Sequence, residues 1–292
     1  MMAAVTDRIA ITPAERRAAV LDLIAAAKSR LILSLFRCDD FSVLDALVAA
    51  LARGVTLEVL ITDRAKGGRK RLDQISTVLA NSGATMHRYG DRVVKYHAKY
   101  MAADTRLALI GSANWTHKCL DRTCDFMLTT GDRGVARAVD QLFAVDCAGR
   151  PLGSDAANDR LVIGPEHARA RLAALLRSAR RSIDIVDPQL TDPDMRGLLV
   201  ERRDAGVRVT CRGRRDVGGL SPHGKLIVVD GQTAVIGSLS LSALHLGFRR
   251  ELAISTTDRR VVRSLNSFLA GLDRARTRRG GSTRRTPLQG AL

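Results

Sequence analysis

The spacing of hydrophobic and polar residues predicts helices and strands in regular alternation. Ala18–Ala27 has the period of an amphipathic helix, and Arg30–Phe36 is an apolar run typical of a buried strand. A helix over Val43–Ala52 follows, which Gly54 would end as a C-cap, and then a strand over Thr56–Ile61. Strands that alternate with helices in this way indicate helices layered on a mixed sheet, so the predicted fold class is α/β.

The same succession returns in the second half of the chain. Its members are a helix over Ala168–Ala179, a strand over Ser182–Val186, a helix over Met195–Asp204 ended by Gly206, and a strand over Val207–Cys211. The first copy holds an insertion, with a helix predicted near Arg71–Ala80 and a strand near Thr85–Tyr89. Each copy then closes with a strand and a helix, Phe126–Thr129 with Val135–Phe143 and Leu252–Ser255 with Arg260–Leu272. The pattern therefore indicates an internal repeat.

A polar motif repeats more clearly still. Residues 96–114 read YHAKYMAADTRLALIGSAN, and residues 222–240 read PHGKLIVVDGQTAVIGSLS. Six residues of the first copy recur 126 positions later as His223, Lys225, Asp230, Gly237, Ser238 and Glu251; they are His97, Lys99, Asp104, Gly111, Ser112 and Asp125. Asn114 corresponds to Ser240 at the same offset. So many matches in one frame are very unlikely to arise by chance.

Each copy of the motif places a histidine and a lysine together. We predict that His97 and Lys99 lie on a strand, where side chains two residues apart point to the same face. The same holds for His223 and Lys225. The sequence therefore predicts two His-Lys pairs, each presented from the end of a strand.

The residues after each pair offer donors for an anion. A hairpin formed by Lys99–Ala103 and Leu107–Ile110 is predicted, with Asp104 at its turn. A hydroxyl and backbone N–H groups follow at the strand end, where phosphates often bind. The candidate phosphate-binding residues are Ser112, Asn114, Ser238 and Ser240.

One carboxylate in each copy can orient a histidine. Asp125 lies 28 residues beyond His97, and Glu251 lies 28 residues beyond His223. A carboxylate that accepts a hydrogen bond from one imidazole nitrogen fixes the tautomer and leaves the other nitrogen for chemistry. Asp125 and Glu251 are therefore the candidate histidine-orienting residues.

These residues resemble the phospholipase D superfamily, whose signature HxKx4Dx6GSxN is carried twice. The copy that begins at His97 fits every position, and the copy that begins at His223 fits all but the last. The resemblance covers roughly residues 13 to 272. It implies two phospholipase D-like α/β/α sandwich repeats, with mixed sheets related by a pseudo-twofold axis and a single shared active site.

The resemblance also implies a mechanism. His97 would attack phosphorus and become a phosphohistidine, and His223 would protonate the leaving alcohol and then activate water or an alcohol. The lysines would offset charge on the phosphoryl oxygens. The motif residues taken together as the catalytic group are His97, Lys99, Asp104, His223, Lys225 and Asp230. Within this group the two aspartates are expected to hold the hairpins rather than to touch substrate, and no metal or other cofactor is expected.

The chain departs from the family pattern at two positions. Ser240 replaces the usual asparagine and has a shorter reach, although its hydroxyl can still donate. Asp125 stands where the family more often has glutamate, which Glu251 preserves. Neither change removes a histidine or a lysine, so we expect activity to be retained.

The repeat divides the chain into two predicted domains. Residues 1–150 form the first phospholipase D-like repeat and residues 151–273 the second, with the boundary in the small-residue stretch 148–157. Residues 274–292 form a basic tail that we expect to be disordered. Because both motifs lie in one chain, a monomer could hold the complete site.

The net charge indicates an anionic partner. Lys+Arg number 47 against 30 Asp+Glu, which gives a formal charge of +17 and a pI near 10.8. Nucleic acid, a phospholipid surface and a phosphorylated substrate all fit this charge. Aromatic residues make up only 3% of the chain, which argues against a platform that stacks single-stranded bases.

Cysteine usage and hydropathy bear on location. The five cysteines form no CxxC pair and no Cys/His cluster with zinc spacing, which favours a reducing compartment with buried thiols. The first residues do not resemble a signal peptide, and no later stretch approaches a membrane span. We therefore expect a cytoplasmic protein, with peripheral contact to an anionic membrane left open.

The substrate stays open between two classes of phosphodiester. The favoured hypothesis is a phospholipase D or phosphatidyl transferase acting on phospholipids, because two fused copies are typical of that branch. The alternative is an endonuclease, which the charge favours, and a second alternative is a non-catalytic binder of DNA or anionic membrane.

Residues outside the motif carry less information about function. His87, His117, His167 and His245 receive no catalytic role, although His117 and His245 follow the motifs closely enough to contact the rim of the site. Trp115 is interpreted either as a pocket residue or as part of the core. A basic cluster in the insertion is either a solvated loop or a contact for substrate or lipid; its members are Arg64, Lys66, Arg69, Lys70 and Arg71.

Overall fold

Two mixed β-sheets, one from each half of the chain, form the frame of the structure. The computed structural model describes residues 7–62, 69–91, 93–153, 158–213 and 216–278. The elements of the first half are β1 (Asp7–Ala10), α1 (Pro13–Ala26), β2 (Arg30–Leu35), α2 (Phe41–Ala52), β3 (Thr56–Thr62), α3 (Arg69–Asn81), β4 (Thr85–Tyr89), β5 (Lys95–Tyr96), β6 (Tyr100–Ala103), β7 (Leu107–Gly111), α4 (His117–Asp121), β8 (Thr123–Cys124), β9 (Met127–Thr130) and α5 (Arg133–Cys147).

The second half repeats this order with shorter connections. Its elements are β10 (Leu161–Gly164), α6 (Ala168–Ser178), β11 (Ser182–Val186), α7 (Pro193–Asp204), β12 (Arg208–Arg212), β13 (Ser221–Pro222), β14 (Lys225–Val229), β15 (Thr233–Gly237), α8 (Ala243–Phe248), β16 (Arg249–Thr256) and α9 (Arg259–Arg278).

The two sheets have the same topology. The first has the order β1-β9-β7-β6-β2-β3-β4, and the second has β10-β16-β15-β14-β11-β12. β2 pairs parallel with β3, as β11 does with β12, and the remaining pairs along each path are antiparallel except that β3 and β4 are parallel. The insertion of the first copy supplies α3 and the edge strand β4. The predicted α/β fold of two repeats with mixed sheets is therefore confirmed.

Local sequence explains where the helices begin and end. Thr12 caps α1 in a capping box with Glu15, and Pro13 stands at the first helical position, where a missing N–H costs nothing. Gly54 and Gly206 follow α2 and α7 with φ values of +85° and +88°. This backbone region strains any residue with a Cβ, so the predicted glycine stops are confirmed.

Three clusters of apolar residues bury the faces of the sheets. α1, α2 and α3 cover one face of the first sheet, and α6 and α7 cover the corresponding face of the second. The other faces of both sheets share one core with α5 and α9. Alternation along β2 shows the division, since Leu31 and Leu33 point to the outer cluster and Ile32 to the shared one. The shared core joins the two repeats.

Two very short strands cross from one repeat to the other. β5 of the first repeat pairs parallel with the start of β16, through Lys95 with Arg249 and Tyr96 with Arg250. β13 of the second repeat pairs parallel with β8 of the first in the equivalent register. Each crossing strand ends directly before a motif histidine, so it brings that histidine to the opposite repeat.

The structure corrects several sequence predictions. His97 and Lys99 do not lie on a continuous strand, because the pairing of β5 stops at Tyr96 and β6 begins at Tyr100. Helix α9 continues to Arg278, so the tail predicted to be disordered from residue 274 is helical over its first residues; residues 279–292 lie outside the described residues. The strands β1 and β10 and the short helices α4 and α8 were not predicted.

The predicted boundary and the basic cluster fall partly outside the described chain. α5 ends at Cys147, and residues 154–157 of the boundary are not described. Arg64 and Lys66 are also outside the described residues, whereas Lys70 and Arg71 lie on α3.

Candidate active site

The two motif histidines are held by the strands of the opposite repeat. The His97 backbone N–H donates to the Arg250 carbonyl oxygen at 2.9 Å. In the second repeat, the Gly224 N–H donates to the Cys124 carbonyl oxygen at 2.6 Å. Arg250 and Cys124 each precede an orienting carboxylate, so each histidine arrives beside the carboxylate of the other copy.

The histidines and carboxylates are paired across the repeats. His97 Nδ1 lies 2.9 Å from Glu251 Oε1, and His223 Nδ1 lies 2.9 Å from Asp125 Oδ1. The 28-residue spacing does not say which histidine each carboxylate serves, and in the structure each serves the histidine of the other copy. We call the observed arrangement the crossed pairing. It makes each half-site depend on both repeats.

The charges of the crossed pairs follow from burial and contact. Burial alone would raise the pKa of Glu251, but the contacts with His97 and His245 outweigh it and hold that pKa well below its usual range. Burial also raises the pKa of Asp125, and its contacts with His223, Ser112 and Thr123 bring the pKa below the ordinary value. Both carboxylates are therefore ionised at neutral pH.

The imidazoles are neutral in this environment. Burial, aided by the nearby Lys99 and Lys225, lowers the pKa of His97 well below its ordinary value despite the Glu251 carboxylate. Burial lowers the pKa of His223 as well, and that side chain is more exposed, 27% against 11% for His97. With Nδ1–H donating to a carboxylate, each ring keeps a lone pair on Nε2 that can take a proton or attack phosphorus.

The motif lysines are buried beside the histidines. Lys99 Nζ donates to the His97 carbonyl oxygen at 2.7 Å, and Lys225 Nζ makes the same bond to His223. Lys99 is 1% exposed, and its Nζ lies 5.0 Å from the centre of the Phe36 ring. An ammonium group has three donors, so each lysine keeps protons for a phosphoryl oxygen.

The charge of Lys99 predicts a pH-dependent affinity for anions. Burial, aided by repulsion from Lys225, lowers the pKa of Lys99 to about 7, so its ammonium is present below that pH and lost above it. We expect the affinity for sulfate, whose charge is constant in this range, to fall by about tenfold between pH 6 and pH 9. Calorimetric titration at several pH values measures this change.

The control is Lys99→Arg, which stays charged and should flatten the profile. Binding to the wild type between about pH 7 and pH 9 should also take up a proton, which titration in buffers of different ionisation enthalpy detects. A flat wild-type profile without proton uptake would contradict the assignment.

All three hydroxyls among the predicted phosphate-binding residues make hydrogen bonds to the protein. Ser112 Oγ donates to Asp125 Oδ1 at 2.5 Å, Ser238 Oγ to the Leu252 carbonyl oxygen at 3.3 Å, and Ser240 Oγ to Asp187 at 2.7 Å. All three serines are 0% exposed. The expectation that they contact phosphate is corrected accordingly: they hold strand ends and carboxylates.

Asn114 remains a candidate for substrate contact. It lines a cavity of about 370 Å³ together with His223, and this space is called the site cavity below. Its Nδ2 lies 3.7 Å from Cys119 Sγ, and its Oδ1 is buried without a hydrogen-bond partner in the described structure. The other polar and charged residues of the lining are Arg37, Asp39, Arg71, Thr116, Lys118, Thr123 and Ser221. Sequence reasoning did not single out Arg37 or Lys118.

The motif aspartates lie at the other end of the hairpins. Asp104 accepts hydrogen bonds from the backbone N–H groups of residues 28–30, and Asp230 from those of residues 180–182. Their φ values of 53° and 55° belong to tight turns. A strand rises about 3.3 Å per residue, so Asp104 is on the order of 16 Å from Lys99 along β6. The structure does not bring the two aspartates, grouped by motif with the catalytic residues, to the histidines.

The turn role of Asp104 makes a separate prediction. Asp104→Ala should destabilise the protein by about 1–2 kcal/mol, because backbone donors at the start of β2 lose their acceptor. The rate per folded molecule should stay within about twofold of wild type. Thermal unfolding and the kcat of the folded fraction measure the two effects. The control is Asp159→Ala, which removes a fully exposed carboxylate; a large loss of kcat in Asp104→Ala at unchanged stability would contradict the prediction.

Two other sequence interpretations are settled by burial. Trp115 is 1% exposed, and its Nε1–H donates to the Ser34 carbonyl oxygen, so it is a core residue. His117 is 61% exposed and lies 3.1 Å from Asp121. His245 is not a rim residue, since it is 2% exposed and its Nδ1 lies 2.6 Å from Glu251 Oε1.

Two groups of side chains could bring ligand atoms to a metal ion. Although the sequence has no zinc spacing, the fold brings together His97, His245 and Glu251, and likewise Cys119, Asp125 and His223, with ligand atoms within 4.8 Å of one another. In both groups the histidine Nδ1 atoms face a carboxylate at hydrogen-bond distance. Imidazole N–H donation accounts for the contacts of His97 and His223. The 2.6 Å contact of His245 Nδ1 is too bent for a hydrogen bond, and we assign no metal to either group.

A second, larger cavity lies away from this chemistry. It measures about 840 Å³ and lies between the β14–β15 turn and α9, where Arg259, Arg263 and Asn266 contribute to its lining. None of the motif histidines or lysines is part of it.

Comparison with known proteins identifies relatives of the fold. The family described as "Cardiolipin synthase, PLD-like domain" matches residues 20–147. No curated protein sequence matches the chain significantly.

Solved structures match a larger part of the chain. A polyphosphate kinase from Porphyromonas gingivalis is 19% identical, with a TM-score of 0.72 over 90% of this chain and 46% of its own length. The chain therefore spans about half of that protein. A phosphatidylserine synthase from Haemophilus influenzae Rd KW20 is 12% identical, with a TM-score of 0.69 over 90% of this chain and 85% of its own. A phospholipase D family member, Nuc, from Salmonella typhimurium is 21% identical and covers 49% of this chain and 93% of its own, with a TM-score of 0.44.

Proposed function

The chain belongs to the phospholipase D superfamily, and from this premise we propose that it is a metal-independent phosphodiesterase that acts through a phosphohistidine, with phospholipids as substrates. The crossed pairing carries the proposal. Two neutral imidazoles, each oriented by a buried ionised carboxylate and each accompanied by a lysine, supply a nucleophile and a proton carrier. A purely structural pair of histidines does not need this set of partners.

In the first step, His97 is the nucleophile. Its Nε2 lone pair attacks phosphorus, a P–N bond forms, and the P–O bond to the leaving group breaks. His223 first takes up a proton from solvent at Nε2, and as the imidazolium it gives that proton to the departing alkoxide. The environments fit these roles, because the pKa of His97 is held well below its ordinary value by burial, whereas the more exposed His223 gains a proton more readily.

In the second step, His223 acts as a base. Its neutral Nε2 takes a proton from water or an alcohol, the oxygen attacks phosphorus, and the P–N bond breaks with its electron pair returning to His97. Water gives hydrolysis, and an alcohol gives transfer. Lys99 and Lys225 donate to the non-bridging oxygens, whose charge grows in both transition states.

Exposed apolar residues beside the site favour a lipid substrate. Phe41 is 71% exposed, Val93 71%, Leu244 61% and Phe248 55%. Phe41 begins α2, four residues after Arg37 of the site cavity, and Val93 precedes His97 by four residues. The other two are on α8 with His245. Apolar side chains next to a basic cavity suit a molecule with acyl chains and a phosphate headgroup.

The site cavity also supports the nuclease alternative. Arg37, Arg71 and Lys118 line it, and these cations suit the backbone of a nucleic acid as well as a headgroup. Among the described residues, no helix combines the length and the apolar composition needed to cross a membrane. Because the lining of the site cavity suits both classes of phosphodiester, the substrate test includes both.

An activity panel in EDTA tests the proposal. Fluorescent phosphatidylcholine, phosphatidylglycerol, single-stranded DNA and duplex DNA are each assayed with wild type, with His97→Ala and with His167→Ala as a control for an exposed histidine outside the site. We expect lipid turnover that is lost only in His97→Ala. Turnover of DNA but not of lipid would establish the nuclease instead. Binding of DNA or lipid without turnover, and without a phosphohistidine, would leave only the non-catalytic binder.

A further inference from the structure

Glu251 has a second histidine partner that the reaction scheme does not use. His245 Nδ1 lies 2.6 Å from Glu251 Oε1, a short but bent contact, and His97 Nδ1 lies 2.9 Å from the same oxygen. The rings of His97 and His245 meet edge to face, with centroids 5.3 Å apart. His245 therefore packs against both the His97 ring and the carboxylate that orients it.

The protonation of His245 follows from its other neighbour. Arg249 Nη1 lies 2.8 Å from His245 Nε2. A guanidinium group has only donors, so Nε2 must accept, and the ring proton must be on Nδ1. His245 therefore donates towards Glu251, and the chain of contacts runs from Arg249 through His245 to the carboxylate that orients His97.

The two repeats support their carboxylates by different means. Asp125 accepts from Ser112 Oγ and Thr123 Oγ1, both at 2.5 Å. At the equivalent positions of the second repeat, Ser238 donates to a backbone carbonyl instead, and Arg249 stands in place of Thr123. Neither contacts Glu251 through a hydroxyl.

In the second repeat, His245 contacts Glu251 in the way that Ser112 and Thr123 contact Asp125 in the first. Its equivalent, 126 residues earlier, is Cys119, a buried thiol. His245 lies against Glu251 and, after His97, helps to hold the pKa of that carboxylate below its usual range. Without His245, His97 would be left as the carboxylate's close side-chain partner in the described structure.

We propose that His245 is a positioning residue, which together with Arg249 holds Glu251 in the rotamer that keeps the His97 ring fixed with its proton on Nδ1. This inference rests on the proposed role of His97 as nucleophile. This arrangement would specialise one half of the site for attack. Glu251 holds the His97 ring so that its Nε2 lone pair is free, and His245 and Arg249 in turn hold Glu251. The charged and titratable groups around His97 are Glu251, His245, Lys99 and Lys225.

The test compares three variants by kinetics and by NMR. His245→Ala removes both contacts, and His245→Gln keeps one amide that can donate to Glu251 and accept from Arg249. His167→Ala is the control, since it removes an exposed histidine outside the site. Turnover of bis(p-nitrophenyl) phosphate gives kcat and KM. Nitrogen-15 spectra of the histidine rings give the tautomer of His97, assigned by the signal that is lost in His97→Gln.

For His245→Ala we expect kcat to fall by about 10–100-fold with KM within about twofold, because the nucleophile is misoriented while the substrate is still bound. The Nδ1–H signal of His97 should give way to averaged tautomers. His245→Gln should recover most of the loss, and His167→Ala should match wild type in both measurements.

The outcomes separate the two proposals. An unchanged His97 spectrum and kcat in His245→Ala would overturn the positioning role. Equal losses in the Ala and Gln variants, with a lower melting temperature and an unchanged His97 tautomer, would also overturn it by showing a packing role. A wild type without phosphodiesterase activity, in which the His97 tautomer still depends on His245, would refute the proposed function and leave the positioning role standing.

Discussion

His223→Ala is expected to trap a covalent phosphoenzyme on His97. With bis(p-nitrophenyl) phosphate as substrate, p-nitrophenolate leaves without needing a proton, so the first step can proceed in the absence of the acid. The second step lacks its base, since water is no longer deprotonated as it attacks. We therefore expect a burst of about one p-nitrophenolate per site, followed by turnover reduced by roughly 10²–10⁴-fold.

Stopped-flow absorbance measures the burst, and mass spectrometry locates the adduct. The modified residue should be His97, and the adduct should be stable at alkaline pH and labile in acid, as phosphoramidates are. His97→Ala should give neither burst nor adduct, and His167→Ala should behave as wild type. An adduct on His223 in His97→Ala, with none on His97 in His223→Ala, would reverse the two roles.

Much of the architecture could be predicted because the repeat contains apolar runs and glycines, which strongly favour particular local structures. The buried strand at residues 30–36 and the glycines at 54 and 206 lie within a residue or two of their predicted positions. Apolar period and backbone conformation are local properties, so one sequence is enough to find them. The match of His97 with His223 at a constant offset then predicted two equivalent halves.

The crossed pairing could not be predicted from spacing. A carboxylate 28 residues beyond each histidine is equally compatible with pairing inside one copy and with exchange between copies. The choice is made by β5 and β13, which are two residues long and carry no hydrophobic pattern that would mark them as strands. Their pairing with β16 and β8 is a tertiary contact, so it is visible only in the folded chain.

Two of the predicted phosphate-binding residues have a suitable side chain but are buried in the structure. Ser112 and Ser238 are suitable phosphate donors by residue type, yet both are 0% exposed and bonded to protein oxygens. His245 shows the opposite case. Nothing in its sequence context distinguishes it from an isolated histidine, and only the return of β16 past α8 places it against Glu251.

The crossed pairing makes a prediction that pairing within each copy would reverse. Glu251→Gln replaces the carboxylate that faces His97 Nδ1–H with a neutral amide. The amide no longer stabilises the positive charge that the His97 ring gains as Nε2 attacks phosphorus, so the burst with bis(p-nitrophenyl) phosphate should slow by on the order of 10³–10⁴-fold. Asp125→Asn should instead disturb His223, so the burst should stay near the wild-type rate and the turnover that follows should fall by about the same factor.

Stopped-flow absorbance on the two variants separates the steps, and thermal unfolding confirms that each is folded at the assay temperature. Asn and Gln keep the shape of the side chains they replace, so any loss reflects the missing negative charge rather than a cavity. We expect Glu251→Gln, in the second repeat, to slow the burst. We expect Asp125→Asn, in the first repeat, to slow the hydrolysis that follows. If Asp125→Asn abolished the burst while Glu251→Gln preserved it, each carboxylate would be serving the histidine of its own copy. The exchange between repeats would then have no role in the chemistry.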